Sequence, residues 1–324
     1  MSKTLNKMGS IHETISHKKI VVDLATSISK LSLRNPTVLA SGILGSSYGL
    51  LKRVEDAGAG ALTTKTITKD LREGYVNPVI VDVGYGYLNA IGLRNPGAEK
   101  FSKELSKAKK NIQIPIITSI GGSKFEEFIF VAEKMLEAGC DALELNLSCP
   151  HVYGYGLDIG LDTKLTREII KQLKSISSKP VFAKISLHQS RRNLIEKYID
   201  AGLDGITAIN ALKGLAINIE TLSPILSNVI GGLSGPCIKP VALAVVYEIH
   251  REFPDIPIIG VGGIESPEDA IEMILVGASA VGIGSAIVKK DLKVFTEITH
   301  GIERFLLENG FKSVKELIGY INRR

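Results

Sequence analysis

Residues 256–285 read IPIIGVGGIESPEDAIEMILVGASAVGIGS and hold one complete structural repeat. An apolar run from Ile256 to Val261 ends in Gly262-Gly263. A stretch with helical spacing follows, Pro267 to Val276, and a second apolar run, Ala280 to Ile283, ends in Gly284-Ser285. Strands covered on both faces read as unbroken hydrophobic runs, and parallel neighbours need a helical crossover between them. The segment is therefore a β–loop–α–β unit of a parallel sheet.

Working outward, the same rhythm recurs along most of the chain. Further apolar runs are Thr37 to Ala40, Ala61 to Thr64, Ile114 to Ile120, Ala142 to Leu147, Val181 to Ile185 and Gly205 to Ile209, which makes eight in all. Helical spacing fills the intervals. Between Phe125 and Ala138, for example, Phe128, Val131, Ala132, Met135 and Leu136 share one face. Similar stretches are Leu50 to Ala57, Ala98 to Lys109, Thr166 to Ser175, Asn193 to Ala201 and Val241 to Arg251. Eight strand–helix units predict an α/β fold, a closed (β/α)8 TIM barrel. The alternative, a doubly wound open sheet, rarely carries eight even units, and the first turn here lacks Gly-x-Gly-x-x-Gly.

Before the first unit, Ile20 to Leu24 and Leu31 to Leu33 read as a hairpin able to cover the bottom of the barrel. The last segment, Leu292 to Arg324, reads as two helices parted by Asn309-Gly310. Polar Met1 to Lys19 reads as a flexible extension, leaving 20–324 as a single barrel domain with rim insertions. These are the long connections Thr66 to Gly97, Ser148 to Asp162 and Ala211 to Pro236, all following strand carboxyl ends, the face on which this fold places active sites.

Composition narrows the function. The 39 basic residues are interleaved with 34 acidic ones for a net charge of +5, which argues against nucleic-acid binding. No apolar run approaches the roughly 20 residues of a membrane span, and Met1 to Lys19 lacks a secretory apolar stretch, so the expected location is the cytoplasm. Cys140, Cys149 and Cys237 form no Cys-x-x-Cys pair, and the six histidines show no metal-ligand spacing. No metal site is expected, and any iron–sulfur relay needs a second protein.

The glycine pairs ending the seventh and eighth strands offer backbone amides as an anion cradle, at the loops where such barrels hold phosphate. Lys65 and Lys184 end the second and fifth strands, where a buried ammonium needs an anionic partner or a lowered pKa. An electron-rich flavin ring suits both, and a Schiff-base lysine of a flavin-free lyase or isomerase is the rival. Asn89, Asn146 and Asn210 supply donor and acceptor together, as a planar amide-rich ring requires. Cys149 stands just past the fourth strand in a glycine-rich loop, an address for a reactive thiol, whereas Cys140 and Cys237 read as small packing residues.

Three motifs then converge: Leu88-Asn89-Ala90-Ile91-Gly92-Leu93-Arg94-Asn95-Pro96, Asn146-Leu147-Ser148-Cys149-Pro150 and Gly231-Gly232-Leu233-Ser234-Gly235-Pro236. With these the chain, from about Ile20 to Phe305, resembles the class 1 dihydroorotate dehydrogenases of the cysteine-base B type. The resemblance implies FMN-dependent oxidation of dihydroorotate to orotate in de novo pyrimidine (UMP) biosynthesis. Cys149 is then the base at carbon 5, with Lys65 the second catalytic residue, and hydride passes from carbon 6 to the flavin. It implies flavin contacts at Ser41, Lys65, Thr66, Ser119, Asn146, Lys184, Ile209, Gly235, Gly262, Gly263, Gly284 and Ser285. Pyrimidine contacts fall at Lys65, Asn89, Ala90, Ile91, Gly92, Leu93, Asn146, Asn210 and Ala211. A homodimer core and a separate iron–sulfur flavoprotein subunit that passes electrons to NAD are also implied.

Three positions depart from the familiar B-type pattern: His151 where Asn follows Cys-Pro, Ala211 where Thr or Ser follows the strand-six Asn, and Ser119 where the third strand commonly ends in Asn. Ser119 and Cys-Pro-His are similar to dihydropyrimidine dehydrogenases, which keeps dihydrouracil or dihydrothymine as rival substrates. The Asn89 to Pro96 motif is dihydroorotate-like.

Overall fold

The computed structural model describes residues 21–148 and 157–323. The expectations for Met1 to Lys19, Cys149 and His151 lie outside the described residues. Eight parallel strands, β1 (Thr37–Leu39), β2 (Ala61–Thr63), β3 (Ile116–Ile120), β4 (Ala142–Asn146), β5 (Val181–Ile185), β6 (Gly205–Ala208), β7 (Ile258–Val261) and β8 (Ala280–Ile283), hydrogen-bond in sequence order and close on themselves. The helices between them are α1 (Tyr48–Asp56), α2 (Ala98–Asn111), α3 (Phe125–Glu137), α4 (Thr163–Ile176), α5 (Arg192–Asp200), α6 (Lys239–Glu252) and α7 (Pro267–Leu275), with α8 (Val294–Glu308) after β8. The predicted barrel is the observed one.

Strands β3, β4 and β5 are buried at every position, which is why they read as unbroken apolar runs. On α3 the predicted stripe of Phe128, Val131, Ala132 and Met135 faces the strands. Full burial of such a side chain is worth roughly 1.5–3 kcal/mol, so the shell between helices and barrel is the principal source of stability. Helix α7 starts on a capping box, Ser266 with Asp269, and has Pro267 in its first turn. One ion-pair device occurs twice. Asp141 accepts from Lys109 Nζ (2.6 Å) and the Ile116 amide (2.8 Å), and Asp204 accepts from Lys174 Nζ (2.6 Å) and the Val181 amide (2.8 Å). Each carboxylate ties the end of a helix to the start of the strand that follows it.

The hairpin at the barrel bottom pairs Thr26–Ile28 with Leu31–Leu33, not Ile20 to Leu24 with Leu31 to Leu33 as the apolar runs predict. A two-residue turn, Ser29-Lys30 with Ser29 at φ 51, fixes Ile28 opposite Leu31. Only Thr26, Ile28, Leu31 and Leu33 then point inward, a pattern too short to stand out. Asp23 instead pairs in parallel with Ser313. Ile28, Leu31 and Leu33 pack on Val38, Ala61, Ile117, Ala142, Phe182, Ile259 and Ala280, one residue from each strand except β6. There Gly205 stands opposite Phe182, and a β-carbon would come within 2.7 Å of its ring. A filled barrel floor leaves the opposite end for chemistry.

The C-terminal segment differs from expectation in its second half. After α8, Val314–Leu317 and Tyr320–Arg323 are short 3-10 turns rather than a helix. Gly319, at φ 63, interrupts the segment, and its amide bonds to Ile274 O on α7 at 3.0 Å.

At the carboxyl rim the insertions after β2 and β6 join in one four-stranded antiparallel sheet, ordered Leu212–Leu215, Ile230–Ser234, Tyr87–Asn89, Ile80–Asp82. Leu88, Ala90 and Leu226 form its own small core. This cap holds Asn89 beside the barrel mouth.

Candidate active site

Between the cap and the strand ends lies a cavity of about 360 Å³, within the range usual for small-molecule and cofactor sites. Strand β1 brings Ser41 to it, β2 Lys65 and Thr66, β4 Asn146, β5 Lys184, and β6 Ile209, Asn210 and Ala211. The loops after β7 and β8 add Gly262, Gly263, Gly284 and Ser285, with Gly235 beside them. From the cap come Asn89, Ile91, Gly92 and Leu93. The fold thus gathers nearly all the residues singled out in the sequence, from positions as far apart as 41 and 285.

Two described candidates fall elsewhere. Ala90 is buried in the small cap core, because alternation along its strand turns it from Asn89's side. Ser119 is fully buried and does not line the cavity; its hydroxyl lies 3.0 Å from Thr66 Oγ1. Of the other cysteines, Cys140 is buried, which pushes its thiol up to about 12, and the Cys237 thiol is likewise raised by burial. Neither suits a base at neutral pH.

The cradle depends on backbone that only glycine fits. Gly262 (φ 137) and Gly263 (φ 73) turn beneath the start of α6, where added β-carbons would meet Ala242 Cβ at 2.8 Å and Lys239 Cβ at 2.6 Å. Gly284 faces open space, with only Ala40 Cβ at 3.6 Å. Two glycine loops thus bare their backbone on one side of the cavity, suited to an oxyanion.

Across the cavity the polar groups are fixed by one another. Asn146 Nδ2 donates to Thr66 Oγ1 at 2.9 Å while its Oδ1 accepts from the Ser148 amide at 3.3 Å. Asn210 Nδ2 donates to Ser148 O at 2.8 Å, and Asn89 Nδ2 to Gly232 O at 3.2 Å. Lys65 Nζ reaches Gly42 O at 3.3 Å. Lys184 is buried, and among the described residues its ammonium has no hydrogen-bond partner, so its donors are left for a ligand. Those groups fit an anionic or amide-rich aromatic ring, and the glycine cradle fits its phosphate.

Two supporting neighbours carry no role in the reading by motif, although Asn95 stands within the Leu88 to Pro96 stretch. Asn95 is buried, and its Nδ2 donates to Leu93 O (2.8 Å) and Thr68 Oγ1 (2.8 Å) while Oδ1 accepts from the Gly97 amide (2.9 Å) and the Thr68 amide (3.2 Å). It holds the 91–93 turn, in which Gly92 and Leu93 have φ 78 and φ 55. Glu144 lies two residues before Asn146 and so on the same inner face, fully buried, with Oε2 accepting from Thr207 Oγ1 at 2.8 Å. Burial pushes its carboxyl up from the ordinary range, against the opposing pull of Lys184, Thr207 and Ser119. Alternation back from Asn146 is the signal that finds it.

A closed α/β barrel with a nucleotide-sized rim cavity, a glycine cradle and inward lysines defines a barrel with a ligand site at its carboxyl rim. The family profile described as "Dihydroorotate dehydrogenase" matches residues 23–306. Among curated relatives, the Pyrococcus abyssi protein named dihydroorotate dehydrogenase B (NAD(+)), catalytic subunit, is 46% identical over 297 residues, covering 91% of this chain and 98% of that one. Proteins of the same name from Pyrococcus horikoshii (47% over 290 residues; 89% and 94%) and Methanocaldococcus jannaschii (43% over 300; 91% and 97%) are similar. The chain belongs to the dihydroorotate dehydrogenase family and is an oxidoreductase. Among the described residues no helix is long and apolar enough to cross a membrane, and no group of three metal-ligating side chains occurs.

Proposed function

We propose that this chain oxidises dihydroorotate to orotate in pyrimidine biosynthesis, with FMN held noncovalently at the carboxyl rim. The observation that carries this reading is the cavity itself, with a cradle of bare glycine backbone on one wall and the buried Lys184 ammonium on another. Gly262, Gly263, Gly284 and Ser285 would take the phosphate, and Ser41, Thr66, Lys184, Ile209 and Gly235 the rest of the nucleotide. When bound, the flavin supplies a two-electron acceptor that the side chains lack.

The protein's own part is to bind and orient. Asn89, Asn146 and Asn210 offer amides to the pyrimidine, each held in plane by the contacts described above, so little ordering remains when substrate arrives. Ile91, Gly92 and Leu93 close the cap side, and Lys65 supplies positive charge for the substrate carboxylate. Cys149, following Ser148 beyond the described residues, is the proposed base. A thiol of ordinary pKa near 8.5 can serve once its surroundings favour the thiolate. The relatives' name, catalytic subunit, supports a separate electron-transfer partner, proposed as an iron–sulfur flavoprotein acting on NAD, around a homodimeric core in the cytoplasm.

Purified protein should be yellow and release FMN on denaturation. Anaerobic addition of dihydroorotate should bleach it stoichiometrically, and dihydrouracil should not. A colourless protein that takes up no FMN, or equal bleaching by both dihydropyrimidines, overturns the reading.

A further inference from the structure

A carboxylate sealed inside a barrel is costly unless it is neutralised or put to use. Glu144 sits on the inner face of β4, one layer below Asn146, with no accessible surface to speak of. Oε2 has its bond from Thr207, yet Oε1 lacks a hydrogen-bond partner among the described residues. A polar atom left bare at such depth calls for an explanation.

Its surroundings form a route rather than a cage. Ser119 on β3 is the register partner of Glu144, so the two side chains stand side by side on the inner face. The Ser119 hydroxyl meets Thr66 Oγ1 at 3.0 Å, and Thr66 Oγ1 accepts from Asn146 Nδ2 at 2.9 Å at the cavity wall. Two hydroxyls, each able to donate and accept, therefore stand between the buried acid and the binding site. Among the described residues the groups facing Glu144 are Ser119 from β3, Lys184 from β5 and Thr207 from β6, and Lys184 is the one charge among them.

We propose that Glu144 is a redox-linked proton acceptor, joined to the flavin site by the hydroxyls of Thr66 and Ser119. The inference rests on the flavin reading above. Dihydroorotate gives up a hydride and a proton. The hydride carries two electrons and one proton into the cavity and leaves one extra negative charge there, while the substrate's proton leaves through the base to solvent. That added charge opposes the carboxylate, which takes one proton from water through Thr66 and Ser119. When two electrons leave for the acceptor, the proton returns by the same hydroxyls.

The test is a redox titration of the FMN-loaded protein across neutral pH, with infrared difference spectra of its oxidised and reduced states. Uptake of two protons with two electrons changes the reduction equilibrium a hundredfold per pH unit, about 60 mV, and uptake of one proton changes it tenfold, about 30 mV. The wild type should show the larger slope with the absorption spectrum of anionic reduced flavin, and a carboxylic-acid carbonyl band should grow on reduction. Glu144→Gln should show the smaller slope and no such band. Should that variant fail to fold, Glu144→Asp should shift the band. The inference is overturned by the smaller slope in the wild type, by a neutral reduced flavin, by equal slopes in wild type and Glu144→Gln, or by the absence of a carboxyl band. Those outcomes require a yellow, reducible protein, so they are distinct from failure of the flavin reading, in which no FMN is taken up.

Discussion

The side-chain amide of Asn146, at the end of β4, donates 2.9 Å to the hydroxyl of Thr66, just past the end of β2, across the strand that separates them. The bond fixes which face of the amide meets a ligand. Thr66→Val keeps the shape and deletes the acceptor, leaving a buried N–H unpaired at a cost of roughly 1–3 kcal/mol. Urea denaturation should show that loss, and the Kd for orotate should rise severalfold. A variant with wild-type midpoint and wild-type orotate affinity would remove Thr66 from the site's support.

The glycine cradle separates two kinds of requirement. Gly263→Ala places a β-carbon 2.6 Å from Lys239 Cβ and 3.0 Å from the Lys239 amide, at a φ of 73. The left-handed backbone alone costs a non-glycine residue roughly 1–2 kcal/mol. Gly284→Ala meets only Ala40 Cβ, at 3.6 Å. The first variant should lose thermal stability together with FMN, and the second should lose FMN affinity while melting like wild-type apoprotein. Fluorimetric FMN titration and thermal melts of both apoproteins check the pair.

Asn95 supports the turn that closes over the pyrimidine without reaching the cavity itself. Asn95→Ala strips four bonds, one to Leu93, two to Thr68 and one to Gly97. The KM for dihydroorotate should rise at least tenfold while FMN content stays near stoichiometric. Parallel loss of both would mean that the loop supports the whole site.

How far the sequence reveals this molecule follows from where each signal comes from. Strands such as β4, buried at every position, announce themselves as apolar runs, and Gly262-Gly263 and Gly284-Ser285 mark their ends. The cap strands do not. Gly231 and Gly232 replace the alternating side chains of a strand, because a β-carbon on Gly231 would lie 2.6 Å from Leu226 Cδ1. The bottom hairpin hides for a different reason, its inward set being only four residues long. At the site, Lys184 and Asn146 are legible because polar residues ending apolar strands stand out. Glu144 lies inside such a run; alternation back from Asn146 puts it on the inner face, and β3, β5 and β6 then bring Ser119, Lys184 and Thr207 around it.

Removal of the proposed base gives a kinetic prediction. General-base catalysis is typically worth 10²–10⁴-fold, so Cys149→Ala should slow anaerobic flavin reduction by dihydroorotate by about that factor while orotate still binds. Cys140→Ala, deep in the helix–strand core, should reduce flavin at the wild-type rate. Stopped-flow absorbance of the two variants decides; wild-type reduction in Cys149→Ala would exclude the thiol as base.

Glu144 and Lys184 also make the stability of the apoprotein depend on pH in a stated direction. In the folded chain the Glu144 carboxyl is raised above 4.5, by burial first, with Lys184, Thr207 and Ser119 pulling it back. A fold that holds a proton more tightly than the unfolded chain is favoured at low pH. The contribution is complete below 4.5 and shrinks as pH climbs from there toward the folded value. Each pKa unit of difference is worth about 1.4 kcal/mol. Glu144→Gln has no proton to lose, so its stability should fall less than wild type over that window and match or exceed it at neutral pH. Lys184→Met removes the opposing positive charge, raises the Glu144 carboxyl further and should extend the decline to higher pH. Urea denaturation of the three apoproteins across this range measures the slopes, and a Glu144→Gln profile as steep as the wild type would show that the carboxyl titrates alike in the folded and unfolded chains.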